Sequence, residues 1–492
     1  MFKKTLCVIL SSLLLAGSLV ACGESSETAE NPTSSQTQDV SHTEIDTFET
    51  LDIPEDRYDG TELCFLTREE GSWSTVEIFA DSKTANSDNI SYAVFERNDR
   101  ILQNYGVKII ELKNGEQISK TTREVSAPTG DFQVVVTNVR NSATLAAGGY
   151  LWDLKSEIME SIDLTKSWWD RKMAEGLSVD GRLYYATGDI MTLDNDATFA
   201  IMFNKTIAEE CQIPNLYELV DNGEWTMNTF YSLSTQAVQD LDGNGSLTST
   251  EDIVGFAYTD DAPNCMFVAG GVTLCQKDEE DLPYFALDVE RSQNVAEKGS
   301  LIFSRDHSVN MSNLGGGIEE VGKKYFGESR ALFFGECLQC VTRVRGYDVD
   351  FGIIPFPKYN QEQDSYYSLM HYIASMVSIP KSVKERDLLM VESMLEAMAY
   401  YSVDTLTKQY YEINLKTKGA KDFQSGPMID TILASRACDL SYYHDWGSGA
   451  FENIAKCMLY SSNISIASMG QKVRRGVETS ISRYLSKIDN YD

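Results

Sequence analysis

Apolar residues recur along this chain in two rhythms, short continuous runs and stretches in which they return every three or four positions. Residues 62–66 (Glu-Leu-Cys-Phe-Leu) read as a buried strand. Residues 92–105 place Val94, Phe95, Ile101, Leu102 and Tyr105 at helical spacing, and 107–110 return to strand. Residues 132–136 form a β-branched run of the kind buried on both faces of a parallel sheet. A helix over 143–147 then stops at Gly148-Gly149. Strand, helix, strand, helix, strand predicts βαβ units and an α/β sheet that holds ligands at the carboxyl ends of its strands. No internal repeat divides the body.

The first 22 residues follow a different pattern. Met1-Phe-Lys-Lys is a short basic start, and residues 8–19 are an apolar stretch of about a dozen residues, too short to span a bilayer. The stretch ends in Leu19-Val-Ala-Cys22, which resembles the lipobox of bacterial lipoproteins. That resemblance implies cleavage of residues 1–21 as a signal peptide and acylation of Cys22, anchoring the protein on the outer face of the cell membrane. Residues 23–50 carry seven acids and no Lys or Arg, with hardly an apolar side chain. Such a stretch does not fold, and as a coil it reaches about 30 Å, so 22–50 is expected to tether a body at 51–492.

Composition narrows the function. The 492 residues suffice for two or three domains, and 74 acids against 42 bases leave a formal charge of −32. So acidic a protein repels phosphate backbones, and nucleic-acid binding is not expected. The eight cysteines after Cys22 read as buried thiols or isolated disulfides; Cys337-Leu-Gln-Cys340 has no second CxxC and no nearby histidine to complete a zinc site. Catalytic patterns are missing: no HExxH, no GxSxG and no Ser-His-Asp set. The run from Gly317 to Gly322-Lys323 approaches a phosphate-binding loop, but Lys324 stands where a Ser or Thr would hold magnesium. Acid pairs such as Asp194/Asp196 imitate a glycosidase, yet 74 acids produce many such pairs by chance.

Several segments, in order, carry a family resemblance. Asp131-Phe-Gln-Val-Val-Val136 with Gly149-Tyr-Leu-Trp-Asp-Leu154 is the first, and Gly181-Arg-Leu-Tyr-Tyr185 through Phe199-Ala-Ile-Met-Phe-Asn-Lys205 the second. Glu224-Trp-Thr-Met-Asn-Thr-Phe230, Glu328-Ser-Arg-Ala-Leu-Phe-Phe-Gly335, Phe351-Gly-Ile-Ile-Pro-Phe-Pro357 and Val377-Ser-Ile-Pro-Lys381 follow. Together they resemble the extracellular solute-binding proteins of ABC importers, in the carbohydrate-binding branch that includes maltose-binding protein. The resemblance implies a two-lobe α/β fold, each lobe a sheet flanked by helices, with the ligand cleft between. Lobe one is expected at about 51–190 and 352–400, and lobe two at about 195–350 and 400–492. Crossing segments are expected near 185–200, 340–352 and 395–410. It further implies a monomer that delivers a sugar or oligosaccharide to permease and ATPase subunits on other chains. Another polar solute such as a peptide is the alternative, and a surface glycan hydrolase or adhesin a remoter one.

Sugars offer flat C–H faces and rings of hydroxyls, so their sites pair aromatic platforms with polar edges. Trp73 after the first strand, Asn138 (with Arg140) after the 132–136 run, Asp194 and Asp196 in the crossover, Tyr372 beside His371, and Trp446 in a Gly-rich loop are the expected contacts. Relatives often carry an aromatic soon after the glycine that Gly335 matches. Here Glu336 follows instead, a carboxylate suited to hydroxyl groups. Trp168, Trp169 and Trp225 are expected to pack, and Asn204 to cap a helix.

Residues 240–251 match the calcium loop D-x-[DN]-x-[DN]-G-x5-E at every fixed position. Asp240, Asp242 and Asn244 would give side-chain oxygens, Ser246 its carbonyl, Thr248 a hydroxyl or bridging water, and Glu251 two oxygens. Thr226 is expected to cap the preceding helix, with Met227, Phe230, Leu233 and Ala237 on its buried stripe, and a strand over 253–258 to follow. The ion would be structural.

Overall fold

Strand β1 (Thr61–Thr67) runs parallel to β2 (Val107–Lys113), with Thr61 opposite Val107, and parallel to β3 (Val134–Asn138), with Phe65 opposite Val134. This first sheet belongs to a computed structural model that describes residues 49–71, 73, 75–245, 247, 251–314, 322–344, 346–411, 423–460 and 463–490. Cys22, nearly all of the tether, Ser246, Thr248 and most of the phosphate-loop-like run therefore lie outside the described residues. The helix Asn89–Tyr105 connects β1 to β2. The Asp88 carboxylate opens it by accepting from the Ser91 amide at 2.9 Å. Gly106 closes it at φ 73°, where a Cβ would lie 2.2 Å from Asp59 Oδ1, so no other residue fits.

The rest of the chain builds a second sheet. Strands β4 (Phe199–Asn204), β5 (Val254–Tyr258), β8 (Ser308–Asn310), β9 (Ala331–Cys337) and β10 (Phe351–Ile354) lie in the order β10-β4-β9-β5-β8. β9 and β5 are parallel, with Val254 opposite Ala331, whereas β4 runs against both β9 and β10. Every residue of β4, β5 and β9 is buried, consistent with a sheet covered on both faces. An aromatic core supports it: Phe230 meets Phe333 at 4.8 Å and Phe256 at 4.9 Å, and Trp225 donates its indole N–H to the Pro355 carbonyl. Strands β6 (Cys275–Lys277) and β7 (Pro283–Phe285) form a separate hairpin.

The chain leaves the first sheet at Ala186, bridged to Val377, and joins the second after Thr198, bridged to Met370. It returns through 355–374 to β11 (Ser375–Ser378), which lies antiparallel to β3 with Ser375 opposite Asn138. Two expected boundaries are corrected. Residues 352–354 sit in β10 of the second sheet, so the return crossing lies after the Pro355-Phe-Pro357 motif and not at 340–352. The helix Glu385–Ser402 and the π-helical turn Val403–Thr407 both pack on the helix Asn89–Tyr105, so the first lobe extends past 400. The helix Ser425–Ala434 then packs on β10.

The buried tryptophans pack as expected. Trp168 and Trp169 donate their indole N–H groups to the two oxygens of Glu396, each at 2.8 Å. Burial raises the Glu396 pKa to about 7, against the two indole hydrogen bonds. The eight cysteines from Cys64 onward are all free thiols. Among the described residues, no helix is long and apolar enough to cross a membrane.

Candidate functional site

Three strand ends meet at His371, in the return crossing. Trp73, on the loop after β1, lies parallel to the His371 ring, 4° between planes and 5.9 Å between centroids. Asp261, three residues beyond β5, brings Oδ2 to 3.8 Å from His371 Nε2. Tyr372 packs beside the imidazole at 4.3 Å and carries the Arg140 guanidinium on its ring at 3.8 Å from the centroid. Arg140 lies one residue into the helix Val139–Ala147, which begins where β3 ends. Trp73, Asp261, Arg140, His371 and Tyr372 are all half-buried, a cluster of aromatic rings and polar edges between the sheets.

Local chemistry fixes these groups. The Ile373 amide donates to His371 Nδ1 at 3.1 Å, which leaves the neutral imidazole its proton on Nε2, facing Asp261. Burial lowers the His371 pKa, with Asp261 opposing and Arg140 adding to the fall, so the ring is a neutral donor at pH 7. Arg140 donates to the Tyr442 carbonyl at 2.9 Å and pairs with Glu452. Glu452 lies on the helix Ala450–Ala455, which packs against the helix Ala262–Ala269 following β5. Arg140 thus ties the first sheet to the elements packed on the second.

A cavity of about 340 Å³ adjoins the cluster at the carboxyl ends of β1 and β2, lined by Thr67, Arg68, Glu77, Glu111, Lys113 and Ser375 among others. Its size suits a small polar ligand. Arg68 donates to the Ile373 carbonyl at 3.0 Å, connecting the cavity wall to the His371-Tyr372 segment. The buried Glu77 carboxylate accepts from the Thr192 and Leu193 amides at 2.9 and 2.7 Å and from the Ser375 hydroxyl at 3.0 Å, pinning both crossings.

Of the expected sugar contacts, the structure brings Trp73 and Tyr372 together at His371, with Asn138 at the start of the helix that carries Arg140. Asn138 caps the helix Val139–Ala147, accepting from the Asn141 amide at 2.9 Å. Four others are turned inward, and their expectation is corrected. Asp194 is 2 % exposed and pairs with Arg436 at 3.0 Å; the same guanidinium holds Asp170 at 2.7 Å, Asn195 and Thr198. Asp196 accepts from the Tyr410 hydroxyl at 2.6 Å. Burial raises these carboxyl groups to about 6 for Asp194 and about 7 for Asp196, and Arg436 holds the former down. Trp446 is 4 % exposed and packs between His444 and Tyr484, serving the core. Glu336, at the end of β9, is 2 % exposed and faces no recess. Asp261, Arg68 and Tyr442 were not anticipated; Asp261 could have been found from its place just past an unbroken apolar strand.

The calcium-type loop keeps its upstream half. Thr226 caps the helix Met227–Gln236, accepting from the Thr229 amide at 3.3 Å, and Met227, Phe230, Leu233 and Ala237 are buried. Asp240 accepts from the Gly243 and Gly245 amides at 2.8 and 2.9 Å, and Asp242 from the Asn244 amide at 2.9 Å. The third carboxylate of the group is a correction: Asp252, not Glu251, stands within 4.8 Å of both. Asp252 is buried and also accepts from the Leu241 amide at 2.9 Å, while the carbonyl of Glu251 accepts from Arg330.

No protein-family model matches the sequence, and no curated relative is found by sequence. Solved structures do match. A cyclic α-maltosyl-1,6-maltose binding protein from Arthrobacter globiformis superposes with TM-score 0.57 at 11% identity, covering 86% of this chain and 99% of its own. A family 1 extracellular solute-binding protein from Bifidobacterium longum subsp. infantis gives 0.55 at 11% identity, over 86% of this chain and all of that one. An ABC substrate-binding protein from Listeria monocytogenes in complex with cycloalternan gives 0.54, with the same identity and coverage. The chain therefore has the two-lobe fold of the ABC solute-binding proteins, its two sheets corresponding to the lobes.

Proposed function

We propose that this protein captures a sugar or oligosaccharide between its lobes and delivers it to the permease of an ABC importer. The observation that carries the reading is the cluster at His371, joined through Arg68 to the cavity at the ends of β1 and β2. Aromatic faces from Trp73 and Tyr372 stand beside Arg140 and Asp261, contributed by both sheets and by the crossing between them. Stacked C–H faces and hydroxyl hydrogen bonds need that pairing. The solved neighbours named for maltosyl and alternan rings support a carbohydrate over a peptide. Capture by lobe closure requires no chemistry, so the protein acts as a binder and not an enzyme.

The reading extends to the anchor and the loop. Acylated Cys22 and the acidic tether would hold the body at the outer face of a bacterial membrane, within reach of permease and ATPase subunits on other chains. One calcium ion would pin the turn at Asp240, Asp242 and Asp252, where three carboxylates converge, with Asn244 and Glu251 at its margin. The ion would be structural.

A thermal-shift panel of glycans and peptides against residues 49–492, which form one compact unit, tests the proposal. A ligand at 100 times its Kd adds about 2.7 kcal/mol to stability. The expected result is a rise in Tm with an oligosaccharide, lost on Trp73→Ala and on Tyr372→Ala. A panel in which only peptides raise Tm, or in which both variants keep the glycan shift, overturns it.

A further inference from the structure

Glu336, Cys337 and Cys340 form a buried donor cluster that the sugar reading does not use. Cys337 ends β9, and Cys340 lies one residue into the helix Gln339–Val344. One carboxylate oxygen and the two sulfurs all lie within 4.8 Å of one another. The three residues are 2 %, 1 % and 2 % exposed. Glu336 Oε1 accepts from the Cys337 amide at 3.0 Å, but Oε2 has no hydrogen-bond partner among the described residues. A buried, half-satisfied carboxylate beside two thiols is costly unless something positive completes it.

We propose that Glu336, Cys337 and Cys340 bind a thiophilic divalent d10 cation of the zinc class. Two thiolates and one carboxylate are a mixed sulfur and oxygen set, which suits zinc better than the all-sulfur preference of copper(I). Zinc–sulfur bonds of 2.3 Å in a tetrahedron set the sulfurs about 3.8 Å apart, which lies inside the 4.8 Å that encloses the cluster. The fourth position falls to water. On binding, the ion replaces both thiol protons, and that of Glu336 where it carries one; the protons pass to solvent and no electron moves. Because the ion displaces protons from its ligands, uptake strengthens as pH rises.

The site also has a place in the architecture. The Leu338 amide, between the two cysteines, donates to the Thr198 carbonyl at 2.9 Å, where the first crossing enters the second sheet. A metal here would fix that entry. The rival state is a Cys337–Cys340 disulfide, which would leave Glu336 Oε2 as unsatisfied as before.

Cobalt titration of the full chain, purified under reducing conditions, separates these states. The expected result is about one cobalt per chain with a thiolate-to-cobalt charge-transfer band, displaced by zinc and unaffected by Cys265→Ser. Cys337→Ser and Cys340→Ser should abolish the band. Glu336→Gln should keep it but weaken binding by more than the roughly tenfold to hundredfold that outer-shell partners cost. Zinc-edge X-ray absorption on the wild type requires no variant to fold and should show two sulfurs with lighter neighbours. An all-oxygen shell, no band on the reduced chain, or a band that survives the double cysteine variant overturns the proposal.

Discussion

Arg436→Met is the substitution whose consequence is most fully set by the geometry. The Arg436 side chain is 4 % exposed and sits between the carboxylates of Asp170 and Asp194 at 2.7 and 3.0 Å, while also donating to Thr198 and Asn195. Met fills similar volume but leaves two carboxylates facing each other, one of them only 3 % exposed and already with Oδ1 unpartnered. Removing one partner of a buried ion pair typically costs about 3–5 kcal/mol. The cost should depend on pH in a definite sense. Asp194 has a folded pKa of about 6, above its unfolded value, and Arg436 is the group that lowers it. Without that cation the folded value climbs further. A carboxyl with a raised folded pKa favours the native state below the unfolded pKa and loses that contribution as pH rises through the folded one. The deficit of the variant should therefore be largest near pH 8 and shrink toward pH 5. Urea unfolding of wild type and variant at both pH values is the assay, and adding Asp194→Asn to Arg436→Met should recover part of the loss. Equal deficits at pH 5 and pH 8 would refute the reasoning, as would a single variant as stable as the wild type.

Other outcomes follow from the same principles. Glu396, raised by burial to about 7, makes native stability fall as pH climbs from about 5 to 8; Glu396→Gln should flatten that slope, and parallel Tm-against-pH curves would count against it. Cys22→Ala should release the protein from membranes, and full retention in the membrane pellet would exclude the acyl anchor. Chelation should lower the Tm of the wild type while barely moving Asp242→Ala; identical curves with calcium and with excess chelator would eliminate the calcium loop. Arg140→Ala should open the lobes, seen as a larger radius of gyration in solution scattering of the free protein, since it removes the bridge to Tyr442 and Glu452.

The alternation of apolar runs and helical stripes was sufficient to read an α/β body, because β1, β2 and the helix Asn89–Tyr105 are local patterns with local caps. The strand expected over 132–136 formed at Val134–Asn138 instead, since Phe132 is buried without joining the ladder and composition cannot tell a buried residue from a paired one. The lobe boundary failed for a related reason: Phe351–Ile354 looks the same whichever sheet it joins, and only pairing with β4 decides. Spatial neighbours were legible where strand ends placed them, as with Trp73 and Tyr372, which meet at His371. They were misread where a distant partner intervened. Asp194 in a crossover loop has the chemistry of a hydroxyl acceptor until Arg436, 242 positions away, turns it into the core.

That reversal bears on how the fold separates stability from binding. The crossing segments are held by buried charge: Glu77 fixes the Thr192 and Leu193 amides, Arg436 gathers Asp170, Asp194 and Asn195, and Tyr410 holds Asp196. These contacts are mostly buried, with Asp170 and Asn195 half-buried, and satisfied mainly by one another, so they specify where the two sheets join. The residues at His371 differ: Trp73, Tyr372, Arg140 and Asp261 are half-buried and held by one another and by their neighbours. On the proposed function, a ligand entering there would meet rings and donors already oriented, and the ordering cost of recognition would fall on the ligand more than on the protein. Arg140 belongs to both regimes, since it lies on Tyr372 beside His371 and on Glu452 across the lobes. On the proposed function, a solute that reached Tyr372 would meet the residue that bridges the lobes, and the Arg140–Tyr372 pair is where binding and closure would be coupled.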